Sequence, residues 1–234
     1  IIERLERFAG SYRKWIETTI NETNPPAHLV GAHDRIADRL KRAADRIDEG
    51  ISLLGDTSTR GGRARWAFAL ANRAMLMQMH HSRNVAAERH TRAETTDPTC
   101  DYDNVGPFSW RPFQLAFLLM TLPSVTDPDH PDHDTVDLIW FPTGGGKTEA
   151  YLGLVAYQVL LRRKERGDAG AGTTVITRYT LRLLTTQQFQ RSATLICALE
   201  LLRRNDEESL GNEPITIGLW VGGGTTPNLY AHAI

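Results

Sequence analysis

The run from Val136 to Leu161 restricts this chain more than any other. Six mostly large apolar residues, Val136-Asp-Leu-Ile-Trp-Phe141, lead into Pro-Thr and three successive glycines, then Lys147-Thr-Glu and an apolar series at helical spacing. The pattern predicts a short buried strand, a tight turn and a helix, in that order. Three glycines permit backbone conformations closed to residues with a Cβ, and they let successive N–H groups converge at the positive end of the following helix. A phosphate group fits such a convergence. Thr143, Gly144, Gly145 and Gly146 form the expected cradle. Lys147 is placed to neutralise β- and γ-phosphates and the Thr148 hydroxyl to ligate Mg²⁺, with Glu149 beside them in the first helical turn. ATP and Mg²⁺ are thus the expected cofactors, and Lys147 and Thr148 the expected catalytic residues. One departure stands out: Phe141 occupies the place where the strict phosphate-loop spacing has a glycine or small residue.

The 234 residues, 41% of them apolar, suffice for a sizeable core. No run of about 18 uncharged apolar residues predicts a membrane span, and no secretory signal is read at Ile1-Ile-Glu-Arg. The chain reads as an internal fragment. Cys100 and Cys197 stand far apart with no CxxC partner, which argues against a disulfide framework or a zinc site and for a cytoplasmic location. A net charge of −1 hides two basic stretches, residues 60–92 and 161–204, each with an excess of six positive charges. Such clusters suit nucleic acid; they suit solvated helix faces or an acidic partner equally well.

Three regions follow from periodicity. Residues 1–95 read as all-helical, with Ile36, Leu40, Ala43, Ile47 and Ile51 at helical spacing and a strongly apolar helix over Trp66–Met79. Residues 96–107 read as a linker. From 108 to 234, apolar segments at 137–141, 173–177 and 215–221 alternate with helical patterns. That predicts an α/β P-loop NTPase (RecA-like) arrangement: an incomplete parallel sheet, preceded by the all-helical N-terminal region.

The form Pro-Thr-Gly-Gly-Gly-Lys-Thr resembles motif I of superfamily 2 helicases and translocases, which often lack the first glycine. Upstream, Phe108-Ser-Trp-Arg-Pro-Phe-Gln114 is similar to the element that opens their first motor domain. That resemblance implies that Gln114 reads adenine, an amide being able to donate and accept at once, and it sets Arg111 in the nucleotide site. Downstream, Thr173–Arg191 is similar to motif Ia, with Thr180, Leu183 and Gln187 at its three marked places, and Trp220-Val-Gly-Gly-Gly-Thr-Thr is similar to the glycine element nearest the tracked strand. The implied nucleic-acid contacts are Thr180, Arg182, Gln187, Gly222, Gly223 and Gly224. Over residues 108–228 the combination resembles the DrmA helicase family of DISARM anti-phage systems. This resemblance implies an ATP-dependent DNA helicase or translocase subunit that works with a second subunit, DrmB. A nucleotide-binding scaffold or switch without hydrolysis is the alternative, and a small kinase-like enzyme fits less well.

No Asp-Glu-x-His box follows an apolar strand, so the acidic group completing the Mg²⁺ site is expected beyond Ile234. The fragment alone is expected to bind nucleotide weakly and hydrolyse almost none. Asp127-Pro-Asp-His-Pro-Asp-His-Asp134 reads as a solvated loop rather than a metal site, and His80 and His81 as the end of an apolar helix.

Overall fold

The computed structural model describes residues 1–91, 102, 108–142, 144–178 and 182–220; the side chains of 83–91 and 182–186 are outside the description. Seven α-helices occupy the described residues: α1 (Ile2–Glu22), α2 (Val30–Gly55), α3 (Thr59–Thr91), α4 (Pro112–Thr126), α5 (Lys147–Arg166), α6 (Arg182–Asn205) and the single turn α7 (Glu207–Leu210). Short 3₁₀ turns at Ala27–Leu29 and Gly167–Gly170 complete the regular structure.

The expected parallel sheet is not there. Among the described residues no strand forms, and the segments at 137–141, 173–177 and 215–220 run as irregular chain. Ile215 is buried, but many of the other large side chains in and beside these segments face outward: Val136, Leu138, Trp140, Ile176 and Trp220 are all at least 80% exposed. A short apolar run becomes a sheet strand only when a neighbour pairs its backbone groups. Here no such pairing is made, so the α/β reading is overturned and the fold of the described residues is all-helical. The helical reading of the N-terminal region agrees with the structure.

The core is organised around α3, which packs against α2, α5 and α6, while α4 lies across α2 and α5. Ala64, Ala67, Ala71 and Ala74 recur along α3 and are at most 3% exposed. This stripe of small residues lets neighbouring helices come close. Met75, Leu119, Leu122, Leu160, Leu195, Leu199 and Tyr157 fill the centre, in one cluster drawn from both sides of the 96–107 stretch. The Tyr157 hydroxyl bonds Thr126 Oγ1 at 2.6 Å, and burial pushes its pKa up to about 12.

Along α2 the buried line is Ala37, Ala44, Ile47, Ile51 and Leu54, and Ile36 faces solvent. The stripe is therefore rotated by one residue at the start of the helix relative to the expected one, with Ala37 rather than Ile36 turned inward. At the other end Gly50 meets α4 so tightly that an added Cβ would overlap the Leu119 carbonyl. His80 and His81 lie inside α3, which continues to Thr91, instead of ending it. His81 Nε2 bonds the Tyr102 hydroxyl at 2.6 Å, and desolvation lowers its pKa.

The Asp127–Asp134 segment is an irregular, largely exposed loop, as expected, and it is pinned at Asp132. Asp132 is buried and takes Arg42 and Arg46, and Arg46 forks onto both oxygens of Asp137. Asp132 N donates to His130 Nδ1, which leaves His130 Nε2 as the N–H that donates to Glu49 Oε1 at 2.9 Å. Among the described residues no group of His, Cys, Asp and Glu is arranged to hold a metal ion.

A second ionic knot closes the C-terminal end of α6. Glu200 accepts from Arg203 at 2.7 and 2.8 Å, from Arg204 Nε at 2.9 Å and from the Ile215 backbone N–H at 2.9 Å. Led by the Arg203 bonds, these hold the Glu200 carboxyl at about 2, against an ordinary 4.5. A depressed carboxylate pKa stabilises the fold above the unfolded value, and that stability disappears as pH falls through the folded one. Acid unfolding should therefore steepen between pH 4.5 and about 2. Glu200→Gln should lose about 2 kcal/mol at pH 7 and flatten that part of the profile, since the amide cannot titrate. Urea melts across the pH series read both; an unchanged profile removes Glu200 as the titrating group.

Candidate nucleotide-binding site

The glycine loop sits directly before α5, whose first residue is Lys147. Gly144 has φ 78° and Gly146, the N-cap, has φ 91°, left-handed values that explain glycine at these two positions. Gly145 N–H donates to the Pro142 carbonyl at 3.2 Å and closes the turn. The N-terminal N–H groups of a 20-residue helix follow, with the positive end of its dipole.

The structure brings the upstream motif onto this loop. Arg111 Nη1 donates to the Gly145 carbonyl at 2.6 Å, and Gln114 Nε2 donates to the Gly146 carbonyl at 2.7 Å. Gln114 is 4% exposed, and its Oε1 accepts from the Arg111 backbone N–H at 2.8 Å. Phe113 stacks on Phe141, ring centroids 3.9 Å apart and planes 15° from parallel. That stack gives Phe141 a reason to stand where a small residue was expected: its ring is one face of the clamp, and a Cβ on Gly145 would collide with it. Trp110 anchors the motif from behind, donating through Nε1 to Asn72 Oδ1 of α3 at 2.7 Å and lying over Gly153 of α5.

Lys147 Nζ donates to the Phe141 carbonyl and, at 3.1 Å, to the Pro142 carbonyl, so the ammonium lies across the loop. Thr148 is half-buried beside it. Glu149 pairs through Oε1 with Arg191 of α6. The loop N–H groups, a lysine and a hydroxyl at one helix start fit a polyphosphate with its Mg²⁺. Lys147 would meet the phosphates and Thr148 would hold the cation, whose chemistry is to neutralise charge on the phosphate oxygens.

Thr143, Thr180, Gly222, Gly223 and Gly224 lie outside the described residues, as does the Arg182 side chain, although Arg182 opens α6. Gln187 is exposed on that helix. Many of the basic residues expected to face a partner are occupied internally. Arg163 and Arg203 are 4% exposed, Arg162 donates to the carbonyls of Ala171 and Thr173, and Lys164 lies over the Trp66 ring. In the other stretch Arg60 pairs with Asp127, Arg63 with Glu165, and Arg65 caps the carbonyls of Leu54 and Asp56. Formal charge excess in sequence missed these contacts because their partners are carbonyls and carboxylates that only folding brings near.

Sequence reading also missed Asn72, the Phe113–Phe141 stack and the Glu149–Arg191 pair. The two phenylalanines flanking the motifs were a visible signal; nothing in the sequence pointed to the other two.

Among the described residues no helix is long and apolar enough to cross a membrane. No family model matches the chain. A curated relative does: the chain is 36% identical over 235 residues to the DISARM protein DrmA of Bacillus paralicheniformis. The match covers 97% of this chain and 20% of that protein, so the chain spans about a fifth of its relative's length. Over nearly all its length, then, the chain is similar to one segment of the DISARM protein DrmA.

Proposed function

We propose that this chain carries the nucleotide-binding element of an ATP-driven DNA helicase or translocase, a subunit of a DISARM-type anti-phage assembly that acts beside a DrmB-like protein. The observation that carries the reading is the clamp of Arg111, Phe113 and Gln114 on the glycine loop at the start of α5. Two segments some thirty residues apart serve one loop, and that loop offers backbone N–H groups, Lys147 and Thr148 to phosphate and Mg²⁺. The DrmA relationship supports the defence role. Thr180, Arg182, Gln187 and glycines 222–224 are the proposed contacts to the DNA backbone.

Gln114 tests the site. One N–H and one lone pair of its amide are committed to Gly146 and Arg111, leaving one of each for an adenine edge. In the full-length protein Gln114→Ala should weaken both ATP and GTP by loosening the loop, and ATP by a further 1–3 kcal/mol or so if the remaining pair reads the base. Titration with both nucleotides separates the two contributions. Equal losses assign Gln114 to the loop alone, and no loss for either removes the clamp from the site.

A further inference from the structure

Glu149 presents a problem for any anion at this loop. It lies in the first turn of α5, its side chain is 16% exposed, and its Oε2 is buried and accepts no hydrogen bond among the described residues. That oxygen comes within 3.3 Å of the point where a Cβ on Gly146 would stand, so a carboxylate hangs over the loop itself. Phosphate oxygens and this carboxylate would compete for one positive helix end, and like charges a few ångströms apart in a partly dry site repel strongly. Lys147 and Arg111 are directed to loop carbonyls, whereas Arg191 reaches Glu149 from another helix. Arg191 is itself half-buried, and desolvation lowers its pKa, so the pair is held partly out of water.

We infer that Arg191 is a positioning residue for the nucleotide: by neutralising Glu149 it lets anionic phosphates occupy the start of α5, and it thereby ties phosphate binding to the placement of α6. The inference rests on the proposed nucleotide site and adds its coupling to the helix that begins at Arg182. Since coupling between two sites is reciprocal, whatever displaces α6 changes nucleotide affinity, and nucleotide biases α6.

The two partners should then act in opposite directions on ATP. In the full-length protein, titrated with Mg·ATP, Arg191→Gln should weaken binding about tenfold because Glu149 is left bare. Glu149→Gln should tighten it about threefold, since Arg191 is then free to attract phosphate. The double variant should recover most of what Arg191→Gln loses. A purely structural ion pair would instead weaken binding in both single variants along with thermal stability, and that result overturns the inference. So does an Arg191→Gln protein that binds ATP normally. If Arg191→Gln fails to fold, Glu149→Gln alone decides: tighter binding supports the coupling, and equal or weaker binding overturns it. Lys147→Ala in the same series distinguishes the two levels. Loss of ATP there with no response at Glu149 and Arg191 rejects only the coupling, whereas normal ATP binding in Lys147→Ala rejects the nucleotide site beneath it.

Discussion

Full-length protein carrying Lys147→Ala should turn over ATP at least about a hundredfold more slowly than the unaltered protein, with its thermal unfolding almost unmoved. Removing one preorganised cationic group from a site of developing phosphate charge typically costs two to three orders of magnitude. The fold should be spared because the ammonium touches only the carbonyls of Phe141 and Pro142, and nothing in the core depends on it. Such part-exposed bonds are worth about 1 kcal/mol or less. Lys147→Arg should recover little, since a planar fork cannot replace a compact ammonium in a tight loop. A DNA-stimulated phosphate-release assay alongside a melting curve reads both effects. Turnover within threefold of normal would remove Lys147 from the chemistry and with it the motor reading.

The largest effect on stability should come from Gly50. A Cβ there overlaps the carbonyl oxygen and carbon of Leu119, which are α4 backbone and cannot rotate away. Gly50→Ala must therefore push α2 and α4 apart, at a cost of about 3 kcal/mol, the upper end for overpacking. The usual helix-propensity gain from glycine to alanine, about 1 kcal/mol, is too small to reverse this. Gly50→Leu should leave little folded protein. Because α4 carries Gln114, the alanine variant should also bind nucleotide less well even where it stays folded. Gly10, with nothing within 4 Å of an added Cβ, supplies the control: Gly10→Ala should be neutral or stabilising. Urea melts of the two variants decide, and equal stabilities would mean that the helices re-pack freely.

The parts of this fold that were legible are those whose determinants are local. The apolar run from Trp66 to Met79 foretold a buried helix because its period is contained within itself, and Gly144 and Gly146 foretold the turn because few other residues take their φ values. Arg111 and Gln114 could be joined to the loop only through resemblance, and their hydrogen bonds to Gly145 and Gly146 supply the physical link. The sheet was misread because an apolar hexapeptide such as Val136–Phe141 has no way of naming its partner. Burial and exposure give it the same letters. The ionic contacts were hidden for a related reason: Arg46 and Asp137 are 91 positions apart, and each alone looks like a solvated charge.

The shared core has a practical consequence for anyone cutting the chain. Trp110 is tied to Asn72, Asp137 to Arg46, and α3 packs against both α5 and α6, so the first ninety residues act as the mould in which the glycine loop is cast. A shortened protein beginning at Phe108 would keep every signature residue of the loop and lose the surface that shapes it. The two pieces are better regarded as complementing fragments than as separable modules, and co-expression is the natural way to handle them if they are ever split.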